Sequence, residues 1–226
     1  MILKIIAIVC FYVIICVEVY MNNLFTYQDF FSELFQNDYD TILDKIEDYI
    51  IFKGQTLESD YHKLSDRNVW IHNTSKVDNN VNIVGPCIIM ENVTIENNAV
   101  IRPNVIIGPN SHIGNSTEVK NSILLDTVTL PHFNYVGDSI LGSHVHLGAG
   151  AIISNYRLDH RNVKETRTKI GAYIGDYVEV GCNSVICPGT IINKNVTVYP
   201  LVMVRGIIKE NSIVKRDNII VEKDNR

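Results

Sequence analysis

"IHNTSKVDNNVNIVGPCIIMENVTIENNAVIRPNVIIGPNSHIGNSTEVKNSILL", residues 71–125, decides the fold. An apolar residue returns at every sixth position: Ile71, Val77, Ile83, Ile89, Ile95, Ile101, Ile107, Ile113, Val119 and Leu125. After two five-residue steps the rhythm resumes at Leu141, Leu147 and Ile153, and again at Ile174, Val180, Ile186, Ile192 and Val198. A fixed period sets the architecture and is read first. Six residues fit neither a 3.6-residue helix nor simple alternation. They fit a triangular coil: three short strands, a turn after each, one inward side chain per side. Four residues after each inward apolar comes a smaller one: Ser75, Val81, Cys87, Val93, Ala99, Val105, Ser111 and Thr117. The turns ("VGPC", "IENN", "IRPN", "IGPN", "IGNS") hold Gly, Asn and Pro, which suit tight corners.

Eighteen residues make one coil, and coils stack at one strand spacing, ~4.8 Å. Residues 18 apart therefore sit above one another. The pattern resembles the left-handed parallel β-helix of the hexapeptide-repeat transferases. The expected architecture is all-β: a left-handed parallel β-helix over residues 71–215, interrupted by a loop at 157–169, with a helical cap at 21–55, a linker at 56–70 and a tail at 216–226.

In the cap, Thr26 and Asp29 are placed to start one short helix carrying Phe30, Phe31, Leu34 and Phe35. A second is expected from about Asp40 to Phe52, its apolar stripe Ile42, Leu43, Ile46, Tyr49 and Ile50, with Gly54 as its stop. Such a cap would cover the first coil, whose open end is an exposed edge. Residues 1–20 hold an apolar run, "ILKIIAIVCFYVIICV", open to several readings: a signal or membrane anchor, a start-site extension ahead of Met21, or a buried strand.

The chain has 226 residues, 46% hydrophobic, with net charge −5. About two dozen inward aliphatic positions, each worth roughly 1.5–3 kcal/mol on burial, supply an ample core. The mild, mixed charge gives no clustered basic surface, so no nucleic-acid partner is expected. Five cysteines show neither metal spacing nor a disulfide framework, which suits a reducing compartment. Four Asn-x-Ser/Thr sequons, at Asn73, Asn92, Asn115 and Asn195, lie on tight coils where glycans would crowd, so a cytoplasmic home is expected, with a membrane partner only if residues 1–20 are an anchor.

The chemistry is concentrated in "EVKNSILLDTVTLPHFNYVGDSILGSHVHLGAGAIISNYR", residues 118–157. Lys120 precedes His132 by 12, Tyr135 follows His132 by three, and Asn155 follows Tyr135 by 20. Arg102 and Pro103 stand one coil before Lys120. These residues and spacings resemble the acetyltransferase half of the bifunctional glucosamine-1-phosphate acetyltransferase/N-acetylglucosamine-1-phosphate uridyltransferases. They resemble still more the C-terminal domains of related archaeal and bacterial sugar-phosphate nucleotidylyltransferases.

The resemblance implies acetyl-CoA-dependent N-acetylation of a hexosamine 1-phosphate in UDP-N-acetylhexosamine biosynthesis, by a homotrimer with acetyl-CoA lying in the groove between adjacent coils. Arg102 and Lys120, about 5 Å apart by the stacking rule, would repel unless an anion sat between them. A sugar 1-phosphate supplies that anion. His132, where the hexad breaks in "TLPHFNY", is the candidate general base, because an ammonium must lose a proton before it attacks a thioester. By resemblance Tyr135 and Asn155 bind the sugar and its phosphate, and Glu118 helps position the sugar. Gly148 and Gly150 leave room for close approach, and with Arg161, Lys169 and Cys182 they form the expected acetyl-CoA side. The loop carrying Arg157, Arg161, Lys164, Arg167 and Lys169 reads either as a contact for phosphates or as a solubilising surface.

Two departures stand out: this loop is longer than in the well-known bacterial enzyme, and Cys182 replaces a serine. The rival reading is a non-catalytic module of the pyrophosphorylase family that trimerises or binds sugar phosphate. The chain has no Gly-rich nucleotide-binding start or βα alternation for pyrophosphorylase chemistry itself. A γ-class carbonic anhydrase would need two zinc histidines five apart; His144 and His146 are two apart, so no metal is expected. A lipid-A-type acyltransferase shares the coil, but "PHFNYVGDSILG" points away from it.

Overall fold

The computed structural model describes residues 24–27, 29–64, 67–164 and 167–223; the apolar segment 1–20 lies outside them. The described chain winds as a left-handed parallel β-helix. Its three faces are sheets of nine, seven and nine strands. The first sheet runs from Val69–His72 to Ile207–Ile208, the second from Asn82–Ile83 to Met203–Val204, and the third from Lys76–Val77 to Ser212–Val214. Each sheet takes one strand per coil in parallel register.

Inside the prism, Ile89, Ile107 and Leu147 are fully buried, as are the small residues Val93, Ala99 and Val105. The edges are closed by antiparallel strands on both ends. Tyr61–Leu64, in the expected linker, pairs with Val69–His72, and Ile220–Glu222, in the expected tail, pairs with Ser212–Val214.

The corners mark the repeat more sharply than the core does. Left-handed φ values fall on Asn92, Asn98, Asn104, Asn110 and Ser116, then on Asn121, Thr127, Phe133, Asp138 and His144. The steps are six residues except 116→121 and 133→138. The two short sides are the second-sheet strands Glu118–Lys120 and Tyr135–Gly137. The inward residue after Val119 is thus Leu124, and Leu125 faces out of the prism, against the sequence expectation. Val136→Leu141 is the second short step, so the hexad is intact around His132 and breaks after it. In this region stacked residues are 17 apart: Glu118 pairs with Tyr135, Lys120 with Gly137, and Leu124 with Leu141.

The N-terminal part differs from its expected shape. Phe31, Leu34 and Phe35 lie in or beside two 3-10 turns, Asp29–Phe31 and Leu34–Gln36. Thr26 caps neither; its amide donates to Asp176 Oδ2 at 2.8 Å, pinning the chain to the sixth coil. Helix α1 (Tyr39–Thr56) is capped by Asp38, whose side chain accepts from the Thr41 amide at 3.0 Å. Gly54 does not stop it. It sits inside the helix, where an added Cβ would come 2.4 Å from the Trp70 ring.

α1 lies lengthwise on the first sheet. Tyr39, Ile42, Ile46 and Ile50 pack on the outward residues Trp70, Ile88, Ile106, Ile123, Ile140 and Tyr173. An 18-residue helix is ~27 Å long, and the five coil steps from Trp70 to Tyr173 span ~24 Å. The lengths match because the helix serves as a strut along the coils instead of a lid on the first one. No helix among the described residues is long and apolar enough to cross a membrane.

Candidate active site

The sequence-predicted residues gather on the outer face of the second sheet. Val100, Glu118, Tyr135 and Ile152 stack in one register column, and Arg102, Lys120 and Gly137 follow in the next. Side chains two apart on a strand share a face, so both columns point outward. Arg102 and Lys120 leave the same face, as the stacking rule requires. Each already has a carboxylate: Arg102 Nη1 is 2.9 Å from Glu118 Oε1, and Lys120 Nζ is 3.9 Å from Asp138 Oδ2. Glu118 thus engages the guanidinium of Arg102, whose pKa is raised by that hydrogen bond.

Asp138 was not among the expected residues, yet it is the hub. It is 5% exposed at the corner between the second and first sheets. Its Oδ1 accepts from Asn121 Nδ2 at 2.8 Å and its Oδ2 from Asn155 Nδ2 at 2.5 Å. Asn155 Nδ2 also donates to the Tyr135 hydroxyl at 3.1 Å. Tyr135 reaches this bond by lying back across Gly137, where a Cβ would come 2.5 Å from its hydroxyl and 2.8 Å from Asn155 Nδ2. Burial, and then the charge of Asp138, raise the pKa of Tyr135. The signal for Asp138 was available: Asn121, Asp138 and Asn155 are 17 apart, the spacing of a coil that contains one short step.

His132 stands at the opposite corner, at the end of the third-sheet strand Thr129–His132. It is exposed, and among the described residues its imidazole has no hydrogen bond within the chain. Its backbone is held: its amide donates to Asn134 Oδ1 at 3.1 Å and its carbonyl accepts from the Gly150 amide at 2.9 Å. Asn134 is buried and donates to the Gly148 and Ala151 carbonyls. Only the corner Phe133–Asn134 separates His132 from Tyr135.

Gly148 and Gly150 lie at the corner of the coil next to His132, and Cys182 at the corner of the coil after that. The room the glycines leave is used by the chain's own next coil: a Cβ on Gly148 would come 2.7 Å from the Cys182 amide, and one on Gly150, at φ +70°, 2.2 Å from Asn183 Oδ1. The absence of side chains at these two corners is thus also a requirement of coil packing.

The basic loop springs from the Asp138 corner, where the Ile170 amide donates to Asn155 O and the Gly171 amide to Asp138 O. Lys164 Nζ lies 2.6 Å from Asp40 Oδ2, Arg167 donates to the Asp40 carbonyl at 3.0 Å, and Arg157 pairs with Asp159. Three of its five cations are thus engaged within the chain. Arg161 and Lys169 have no ion pair among the described residues. No group of His, Cys, Asp and Glu suited to a metal ion occurs among the described residues.

Several known proteins are similar to this chain. Residues 83–165 match the family model of the GMPPB C-terminal domain. Over 88 residues the chain is 38% identical to a bifunctional sugar-1-phosphate nucleotidylyltransferase/acetyltransferase of Sulfurisphaera tokodaii, covering 35% of this chain and 22% of that protein. Over 113 residues it is 35% identical to the bifunctional protein GlmU of Methanococcus vannielii, covering 46% of this chain and 27% of that one. The chain therefore spans about a quarter of the length of the curated relatives it matches. Among solved structures, the acetyltransferase domain of PglB from Neisseria gonorrhoeae superposes with a TM-score of 0.37 at 19% identity, covering 65% of this chain and 54% of that one. In repeat, fold and matched sequence, the chain resembles the C-terminal β-helical domain of the bifunctional sugar-1-phosphate nucleotidylyltransferase/acetyltransferases, a hexapeptide-repeat acetyltransferase domain.

Proposed function

We propose that the chain transfers the acetyl group of acetyl-CoA to the amine of a hexosamine 1-phosphate. The observation that carries this reading is the gathering of Arg102, Lys120, Tyr135 and Asn155 on one outer face, with an unengaged imidazole, His132, one corner away. The relatives named for both sugar-1-phosphate nucleotidylyl transfer and acetyl transfer support it.

In this reading the phosphate displaces Glu118 from Arg102 and lies between Arg102 and Lys120, where charge-assisted hydrogen bonds favour an anion. Glu118, released, accepts from the sugar. His132 takes a proton from the ammonium. The free amine attacks the thioester carbonyl, the new C–N bond forms, and the C–S bond breaks. The proton held by His132 leaves with the CoA thiolate, and the second proton, lost by the nitrogen as the amide forms, passes through His132 to solvent, so charge balances. Gly148, Gly150, Arg161, Lys169 and Cys182 belong to the acetyl-CoA side. Two clefts, of about 380 and 470 Å³, lie away from this face, lined by residues such as Asp60 and His72 or Phe25 and Tyr39. In this reading a homotrimer adds a second wall to the face, as closed cyclic symmetry allows.

The pairing of Arg102 with Glu118 favours a second reading, a non-catalytic β-helix that trimerises or senses sugar phosphate. One experiment separates the two: release of free CoA thiol on mixing the protein with acetyl-CoA and glucosamine or galactosamine 1-phosphate. Turnover on either sugar upholds the transferase. No turnover together with calorimetric binding of the sugar phosphate gives the module.

A further inference from the structure

We propose that Asp138 is a positioning residue that sets the direction of the hydrogen bonds in the phosphate cradle, so that Tyr135 presents its hydroxyl hydrogen to the ligand. The inference rests on the transferase reading of the same face. The geometry leaves one arrangement. An ionised carboxylate only accepts. Asp138 therefore requires the amide nitrogen, not the oxygen, of Asn155 on its side, as found at 2.5 Å. The same nitrogen reaches the Tyr135 hydroxyl at 3.1 Å, so that oxygen is the acceptor. The phenolic hydrogen is then left for a partner outside the chain.

Asn121 closes the other carboxylate oxygen at 2.8 Å, and the Asp138 amide is tied to the Lys120 carbonyl at 3.1 Å, so the carboxylate cannot turn away. Lys120, at 3.9 Å, is drawn to the same charge without being captured at hydrogen-bond distance. The outward face thus offers donors to an anion: the guanidinium of Arg102, the ammonium of Lys120 and the hydroxyl of Tyr135.

The test is a charge swap. Asp138→Asn preserves shape, and asparagine tolerates the left-handed corner, φ 51°, better than most residues. Without the charge the Asn155 amide is free to turn over. Adding Asn155→Asp reverses the donor and acceptor of the pair. The carboxylate introduced at position 155 then takes the Tyr135 hydrogen inward. Melting temperature and steady-state kinetics with glucosamine 1-phosphate are measured for wild type and both variants.

The expected result is a KM for the sugar phosphate about tenfold higher in Asp138→Asn with kcat nearly unchanged, and a double variant that recovers melting temperature but not KM. A single variant with wild-type KM, or a double variant that recovers KM along with stability, overturns the proposal. If the wild type turns over no amino sugar, the transferase reading falls, and the hydrogen-bond direction is then decided by ¹³Cζ-tyrosine NMR of Tyr135. Its ionisation midpoint should lie above wild type in the double variant, where the phenol donates to a carboxylate. A midpoint at or below wild type overturns the proposal.

Discussion

Lys164 Nζ and Asp40 Oδ2 meet at 2.6 Å across 124 residues of chain, joining the basic loop to the first turn of α1. Asp40 also takes the hydroxyl hydrogen of Tyr173, a side chain 1% exposed. The two bonds differ in weight. The lysine pair is partly solvated and worth about 0–1 kcal/mol. A buried hydroxyl left without a partner costs about 1–3 kcal/mol. Asp40→Ala should therefore destabilise by about 1–3 kcal/mol in urea denaturation, and Lys164→Ala by under about 1 kcal/mol. Both should speed limited proteolysis within residues 157–169. Equal stability losses in the two variants would refute this division.

Gly54 offers a test of sign. In an exposed helix, Gly→Ala adds roughly 1 kcal/mol of stability. Here the new methyl meets the Trp70 ring, and overpacking costs typically 1–3 kcal/mol. Gly54→Ala should be destabilising by chemical denaturation. A more stable variant would mean that α1 stands farther from the first sheet.

The candidate site divides into two kinetic behaviours. His132→Ala should lower kcat by roughly 10²–10⁴-fold, since a base acts in the transition state. Arg102→Ala and Lys120→Ala should mainly raise KM for the sugar phosphate and narrow its advantage over the free hexosamine. Full turnover in His132→Ala would remove it from the chemistry.

Several buried and half-buried tyrosines make the protein sensitive to base. Burial raises the pKa values of Tyr39, Tyr49 and Tyr173, and pushes Tyr61 up to about 12. A group whose pKa is raised by folding contributes stability that is whole below its unfolded value and lost as pH climbs through the folded one. Unfolded tyrosine titrates near 10. Stability should therefore not fall through tyrosine ionisation between pH 7 and 9 and should drop steadily above about 10. A denaturation series over pH 7–11.5 checks this, and a flat profile through pH 11.5 would contradict it.

The three cysteines among the described residues should react in a set order. Burial pushes the Cys87 thiol up to about 12, raises Cys187 less, and leaves Cys182 exposed. Because the thiolate is the nucleophile, alkylation at pH 8 followed by peptide mapping should find Cys182 labelled before Cys187 and Cys87. Cys87 should stay unlabelled until the chain unfolds.

The repeat itself was legible because a buried aliphatic every sixth residue has few other uses. Ile89, Ile107 and Leu147 could be placed inside from their numbers alone. What misled was a loss of phase. An apolar residue stands at both 124 and 125, so the six-residue count runs on to Leu125 while the coil has already shortened. The same slip hid Asp138: on an 18-residue rule it stacks over Lys120, whereas its partners Asn121 and Asn155 are 17 away. Gly54 was misread for a different reason. Gly54 looks in sequence like a stop, and only packing reveals that it makes room for the Trp70 ring inside the helix. The lysine and arginine spacing survived because neither short step falls between Arg102 and Lys120.

α1 has one more consequence. A stack of coils in which each touches only its neighbours behaves as a one-dimensional array, able to fray from either end. A rod fastened from Trp70 in the first coil to Tyr173 in the sixth joins turns that otherwise never meet. Loosening any one of those turns strips contacts from the same rod. The first six coils therefore melt as one unit, and partial unwinding is confined to the two coils beyond the strut.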